Sequence, residues 1–193
     1  SGMTGDGTVI ATIAAGVATD AAGNNNAAST STDNTVTFDA TAPTVTIDQA
    51  LAQVDPTNVS PINFTVVFNE ATTNFATGDV TLGGTAGATT ATVTGGPTTY
   101  NVAVSGMTGD GTVIATIAAG VASDSLGNGN TASTSTDNTV TYDTTAPIVT
   151  IDQTLAQPDP TGASPINFIV VFNETTANFA TGDVTLGGTA GAT

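Results

Sequence analysis

The chain of 193 residues has no Lys, Arg, His, Cys or Trp. Its 16 Asp and Glu give a formal charge of -16 with no side-chain counter-charge, so no salt bridge between side chains can form anywhere in it. Nucleic-acid binding and attraction to anionic lipid both rest on a basic face, whereas every charged side chain here is repelled by phosphate. Neither partner is expected. Absent Cys excludes disulfides and thiolate metal ligands, which leaves the core to hold by burial alone or with bound ions. Without His, Cys or Lys, catalytic triads, thiol chemistry and Schiff bases are excluded, and only Ser, Thr, Tyr and carboxylates remain as nucleophiles or bases. No apolar run approaches the ~20 residues of a membrane-spanning helix, so no membrane insertion is expected. The opening Ser1-Gly2-Met3-Thr4-Gly5 has no basic leader region, and the chain is expected to start inside a larger protein.

What the sequence does have is itself, twice. Residues 1–89 overlay 105–193 without a gap, at an offset of 104, and differ at 15 of the 89 positions. A period near 100 is too long for a solenoid unit that must stack to fold, but suits an autonomous β-sandwich. The Asp39-Ala40-Thr41-Ala42-Pro43 stretch and its copy Asp143-Thr144-Thr145-Ala146-Pro147 read as links between β-rich runs. One complete repeat then spans 40–143, between the C-terminal part of one repeat (1–39) and the N-terminal part of another (144–193).

Within 40–143, apolar residues alternate with polar ones, the pattern of half-buried strands. Val45 and Ile47 mark the first strand; Ile62, Phe64, Val66 and Phe68 the second; Val80 and Leu82 the third. Ala91 and Val93, then Tyr100, Val102 and Val104, then Val113, Ala115 and Ile117, then Val140 and Tyr142 mark four more. Gly83-Gly84, Gly95-Gly96-Pro97 and Gly127-Asn128-Gly129-Asn130 supply turns between them. Ala118 to Ala122 tempts a helix assignment but reads as the end of the sixth strand and its loop. An odd number of antiparallel strands puts the chain ends at opposite poles, so tandem copies are expected to run head to tail.

Three segments carry a resemblance. They are Phe64-Thr65-Val66-Val67-Phe68-Asn69-Glu70 followed by Phe75-Ala76-Thr77-Gly78-Asp79-Val80-Thr81-Leu82, then Ala122-Ser123-Asp124-Ser125-Leu126-Gly127-Asn128, and the Asp-x-Thr-Ala-Pro link. In this order they resemble the bacterial immunoglobulin-like repeats of large secreted surface proteins and adhesins. The resemblance implies an all-β fold of tandem seven-stranded immunoglobulin-like sandwiches arranged as a rod. It further implies an extracellular place, a spacer role in a long stalk and, in some members, calcium at the domain junctions.

The loops sort into two poles if strand direction alternates. Asp39, Glu70, Asp79 and Asp124 are expected near one junction, and Asp110, Asp143, Glu174 and Asp183 near the next. Two readings stand side by side. Calcium takes six to eight oxygen ligands, and a junction rich in acids with no cation nearby suits it. Asp also initiates turns, in which case each charge faces water. No Asp-x-Asp-x-Asp-Gly loop or nonapeptide calcium repeat occurs.

Catalysis is not expected. A pair such as Glu70 and Asp79 has the residue types of glycoside hydrolysis, but solvated loop acids are the rule and no aromatic sugar platform is evident. The Asn-x-Ser/Thr triplets at Asn58, Asn63 and Asn173 are each missing from the other repeat copy, as chance matches in a Thr-rich chain would be. The expected function is a spacer repeat of a long extracellular bacterial surface protein, with neighbouring repeats as its partners. The alternative is a building block that self-associates into an extracellular filament or sheath.

Overall fold

A computed structural model describes residues 2–191. It divides into two compact units, Ser1–Thr144 and Thr145–Thr193. Among the described residues every regular element is a strand, all paired antiparallel, and no helix is long and apolar enough to cross a membrane.

The first unit opens with a two-stranded ribbon of β1 (Gly7–Ile10) and β2 (Thr35–Phe38). Seven strands follow: β3 (Val45–Gln49), β4 (Ile62–Phe68), β5 (Val80–Gly83), β6 (Thr90–Gly95), β7 (Thr99–Ser105), β8 (Gly111–Ile117) and β9 (Thr139–Tyr142). They form a four-stranded sheet in the order β3-β4-β7-β6 and a three-stranded sheet in the order β5-β8-β9. Each coincides with an alternating run in the sequence. Because successive strand residues point to opposite faces, the even positions of β4 from Ile62 to Phe68 all turn inward. They meet Tyr100, Val102 and Val104 of β7, together with Val113, Ala115 and Ile117 of β8 and Val140 of β9, in one buried cluster. Phe68, Phe75 and Tyr100 close one end of it edge to face, with ring centroids 5.0–6.0 Å apart. The Tyr100 hydroxyl is satisfied there, 3.1 Å from Thr72 Oγ1 and 3.3 Å from the Pro97 carbonyl.

Two loop residues set the strand ends. Gly84, at φ +94°, leaves β5 so close to β8 that an added Cβ would lie 2.1 Å from the Thr112 carbonyl oxygen. Asn130 shapes the stretch after β8. Its Oδ1 accepts the Ala122 N–H at 2.8 Å, while its Nδ2 donates to the carbonyls of Ala118 at 2.9 Å and Thr131 at 2.6 Å. Those bonds hold Ala118–Ala122 in turns rather than a helix.

The second unit pairs β10 (Val149–Gln153) with β11 (Phe168–Phe172). Its register, Val149 opposite Phe172, repeats that of Val45 opposite Phe68. The Phe172–Phe179 ring contact likewise repeats Phe68–Phe75 at 5.3 Å.

Candidate metal site beside the link

Residues 39–44 are tied down almost one by one. Asp6, in the turn leading into β1, accepts the Ala40 N–H at 2.8 Å and the Thr41 hydroxyl. Asp39 Oδ1 accepts the Thr41 N–H at 3.0 Å. The Pro43 carbonyl accepts the Thr131 N–H at 2.9 Å, and Thr44 exchanges bonds with Asn69, its N–H reaching Asn69 Oδ1 at 2.7 Å. A link so held fixes where Asp39 points.

Glu70 follows β4 by two residues, and Asp124 lies in the turn after β8. Carboxylate oxygens of Asp39, Glu70 and Asp124 all lie within 4.8 Å of one another, the one such group of three potential ligands among the described residues. Asp124 is buried, and its own turn holds it: Oδ1 accepts the N–H groups of Leu126 at 2.8 Å and Asn128 at 2.9 Å, and Oδ2 accepts Asn128 Nδ2 at 2.8 Å. The Asn128 side-chain bond, with the backbone bonds behind it, keeps the Asp124 carboxyl below its ordinary value. Asn128 Nδ2 also reaches the Asp39 carbonyl at 3.4 Å, joining the turn to the link.

Glu70 moves the other way. Partial burial, then the charges of Asp124, Asp39 and Asp6, push its carboxyl above the ordinary range. The chain has no cationic side chain to offset them. The donor set is therefore all oxygen, net negative and partly dehydrated, which matches a hard divalent cation of the calcium type. Asp124 accepts three hydrogen bonds, but an ionised carboxylate has about four acceptor positions, so it retains capacity for a metal.

The other sequence-predicted residues fall elsewhere. Asp79 is outside the group of three; its Oδ2 accepts the Ala76 N–H at 2.8 Å and closes its own turn, as Asp183 does with Ala180 at 2.8 Å. These two act as turn makers. Asp110 does for the outgoing link what Asp6 does for the incoming one, accepting the Thr144 N–H at 2.8 Å and its hydroxyl at 2.9 Å. Asp143 lies in that link, where its N–H donates to Thr57 O at 3.0 Å. Glu174 is half-buried beyond β11 in the second unit.

Sequence reading did not single out Asp6 or Asp48. Asp48 Oδ1 accepts the N–H groups of Thr136 and Asp137 at 2.8 and 2.9 Å and the Ser135 hydroxyl at 2.8 Å, pinning the loop before β9. Both bond to residues more than 30 positions away, so no local pattern signals them. Comparison with family models, with curated proteins and with solved structures gives no match.

Proposed function

We propose that the chain is a run of immunoglobulin-like spacer repeats from a long extracellular bacterial surface protein, with calcium stiffening the junction between repeats. One observation carries the reading: residues 45–142 close a hydrophobic core of their own, and both 45–89 and 105–142 recur 104 residues away. A unit that needs no neighbour for its core can be repeated at will to add length. The strand orders support the immunoglobulin-like assignment, because the seven-stranded sandwich of that class puts its first, second, fifth and fourth strands in one layer and its third, sixth and seventh in the other. The bonds that tie residues 39–44 support the spacer role, since a slack link would fold up under thermal motion.

On this proposal Asp39, Glu70 and Asp124 hold the calcium ion, and the ion supplies the positive charge that the chain lacks. Thermal unfolding in calcium against chelator tests it. At ~100-fold over its dissociation constant one ion adds about 2.7 kcal/mol. For a domain of about 100 residues that raises the melting temperature by roughly 10–20 °C. Identical melting curves would remove calcium from the proposal. The spacer role is tested on arrays of two, four and eight repeats by small-angle scattering. Their maximum dimension should grow in proportion to copy number; growth near its square root, as for a flexible coil, would refute a stiff spacer.

A further inference from the structure

Within the complete repeat, β6 is the outer strand of the four-stranded sheet, with β7 on one side and, among the described residues, no strand paired on the other. The Gly96 N–H donates to the Thr99 carbonyl at 2.8 Å, and Thr94, Thr92 and Thr90 follow Gly96 at intervals of two in the same register. Backbone groups alternate in direction along an antiparallel strand, so these residues bond to β7 while Ala91, Val93 and Gly95 turn their N–H and C=O groups outward. Such an edge is a template for pairing with another chain, and charged side chains or Pro commonly blunt it. β6 has neither. Residues 80–109 carry no charge at all, and no other uncharged stretch of the chain is half as long.

One side chain covers the edge instead. The outward N–H of Val93, the middle of the three, donates to Thr77 Oγ1 at 3.1 Å. Thr77 is held there by the turn that Asp79 closes on Ala76, in which Gly78 takes a φ of +109°. Beside it a hollow of about 350 Å³ opens between Thr77, Val80, Leu82 and Ala91, where the two sheets part. We propose that the β6 edge is a pairing surface for β6 of a second copy of this chain, held shut by the Thr77 hydroxyl. Charge and symmetry name the occupant. Two copies at -16 repel each other, and the repulsion is least when the stretch without acids is what they turn together. A two-fold axis through Val93 sets Val93 opposite its own counterpart and Ala91 opposite Gly95, so all three outward residues pair at once. That register needs the Val93 N–H, the one that Thr77 occupies.

Thr77 is exposed, so Thr77→Val, close to it in shape, removes the hydroxyl and leaves the core alone. Each dimer then forms without breaking two Thr77 bonds, and the association constant measured by sedimentation on the full chain should rise at least ~10-fold over wild type. Thr77→Ala should do the same, and Thr77→Ser, which keeps the hydroxyl, should match wild type. Thr92→Glu added to Thr77→Val sets like charges diagonally across the axis and should return association to the wild-type level. With no native Cys, the register is read by mild oxidation in the Thr77→Val background. A Thr92→Cys chain mixed with a Thr94→Cys chain should bridge, since those positions face each other at about 4.5 Å between Cα atoms. Thr90→Cys alone should not, its two copies lying about 20 Å apart. The proposal is overturned if Thr77→Val and Thr77→Ala associate no more than wild type, if Thr77→Ser associates as they do, if Thr92→Glu changes nothing, or if Thr90→Cys bridges as readily as the mixed pair. None of these outcomes alters the calcium melt or the scaling of array length, so the two readings fail separately.

Discussion

Asn130 and Asn26 form a matched pair supplied by the repeat. Asn26 makes the same three side-chain bonds as Asn130: it accepts the Ala18 N–H at 2.8 Å and donates to the carbonyls of Ala14 at 2.9 Å and Ala27 at 2.6 Å. The difference is burial, for Asn130 is 2 % exposed while Asn26 is only half-buried. Replacing Asn130 by Ala strands the Ala122 N–H, on a residue that is 1 % exposed, without water to replace its partner. An unsatisfied buried donor costs about 1–3 kcal/mol, whereas the two carbonyls belong to exposed residues and recover most of their bonding from solvent. Asn130→Ala should therefore destabilise the complete repeat by about 2–4 kcal/mol, and Asn26→Ala should leave it within about 0.5 kcal/mol. Urea unfolding reads both. With a slope of about 1–3 kcal/mol/M, the first shifts the midpoint down by roughly a molar unit or more. Asn130→Asp, which keeps the acceptor and loses the donors, should fall between. If Asn130→Ala and Asn26→Ala cost the same, burial is not what gives these bonds their weight, and the reasoning fails.

Three further outcomes are expected. Glu70→Gln removes the charge that burial, Asp124, Asp39 and Asp6 disfavour, so it should stabilise the metal-free protein by less than about 1 kcal/mol and abolish the calcium-dependent rise in melting temperature. A retained calcium response would rule Glu70 out as a ligand. In chelator, lowering the pH from 7 should first hold or raise stability, because the raised Glu70 carboxyl takes up its proton above the ordinary 4.5. Stability should then fall below the ordinary 3.8. Asp48, where burial is outweighed by the Asp137 and Thr136 N–H groups, and Asp124, held by Asn128, titrate lower in the fold than in the unfolded chain. Melting temperatures from pH 7 to 2 check the order of the two limbs; a fall starting above pH 5 would contradict it. Gly84→Ala should cost about 1–3 kcal/mol or more, since its φ of +94° and the 2.1 Å approach of Thr112 O both refuse a Cβ. Denaturant midpoints would show it, and an unchanged midpoint would mean that β5 and β8 separate freely at that point.

Much of the fold was legible because the strand signal is local. The alternation in Ile62–Phe68 and Tyr100–Val104 states which side faces in, and burial in the structure follows it residue by residue. The gathering of Asp39, Glu70 and Asp124 was readable from strand alternation, which places successive loops at alternate poles. What was not legible is the division of labour among the acids. Asp79 has the same surroundings in sequence as a ligand would, yet a bond to Ala76, three residues back, takes it into a turn. Asp110 reads as part of a Gly-Asp-Gly turn, and its bond to Thr144 exists only because the start of β8 pairs with β9, Gly111 lying opposite Tyr142. Asp48 is invisible for the same reason, its partners lying 87 to 89 residues ahead. Asn130 stands in a Gly-Asn run that any turn would share, and only the depth of the loop makes it structural.

The first run of the complete repeat touches its last in two places, Thr46 against Thr134 and Thr57 against Tyr142, and both contacts are parallel. Thr57 accepts from the Asp143 N–H at 3.0 Å and donates to Thr141 O at 2.9 Å. Tension applied through the two flanking links drags such segments lengthwise past each other, loading their bonds together instead of peeling them one after another. The repeat thus resists stretching at the two points where a pull enters and leaves it.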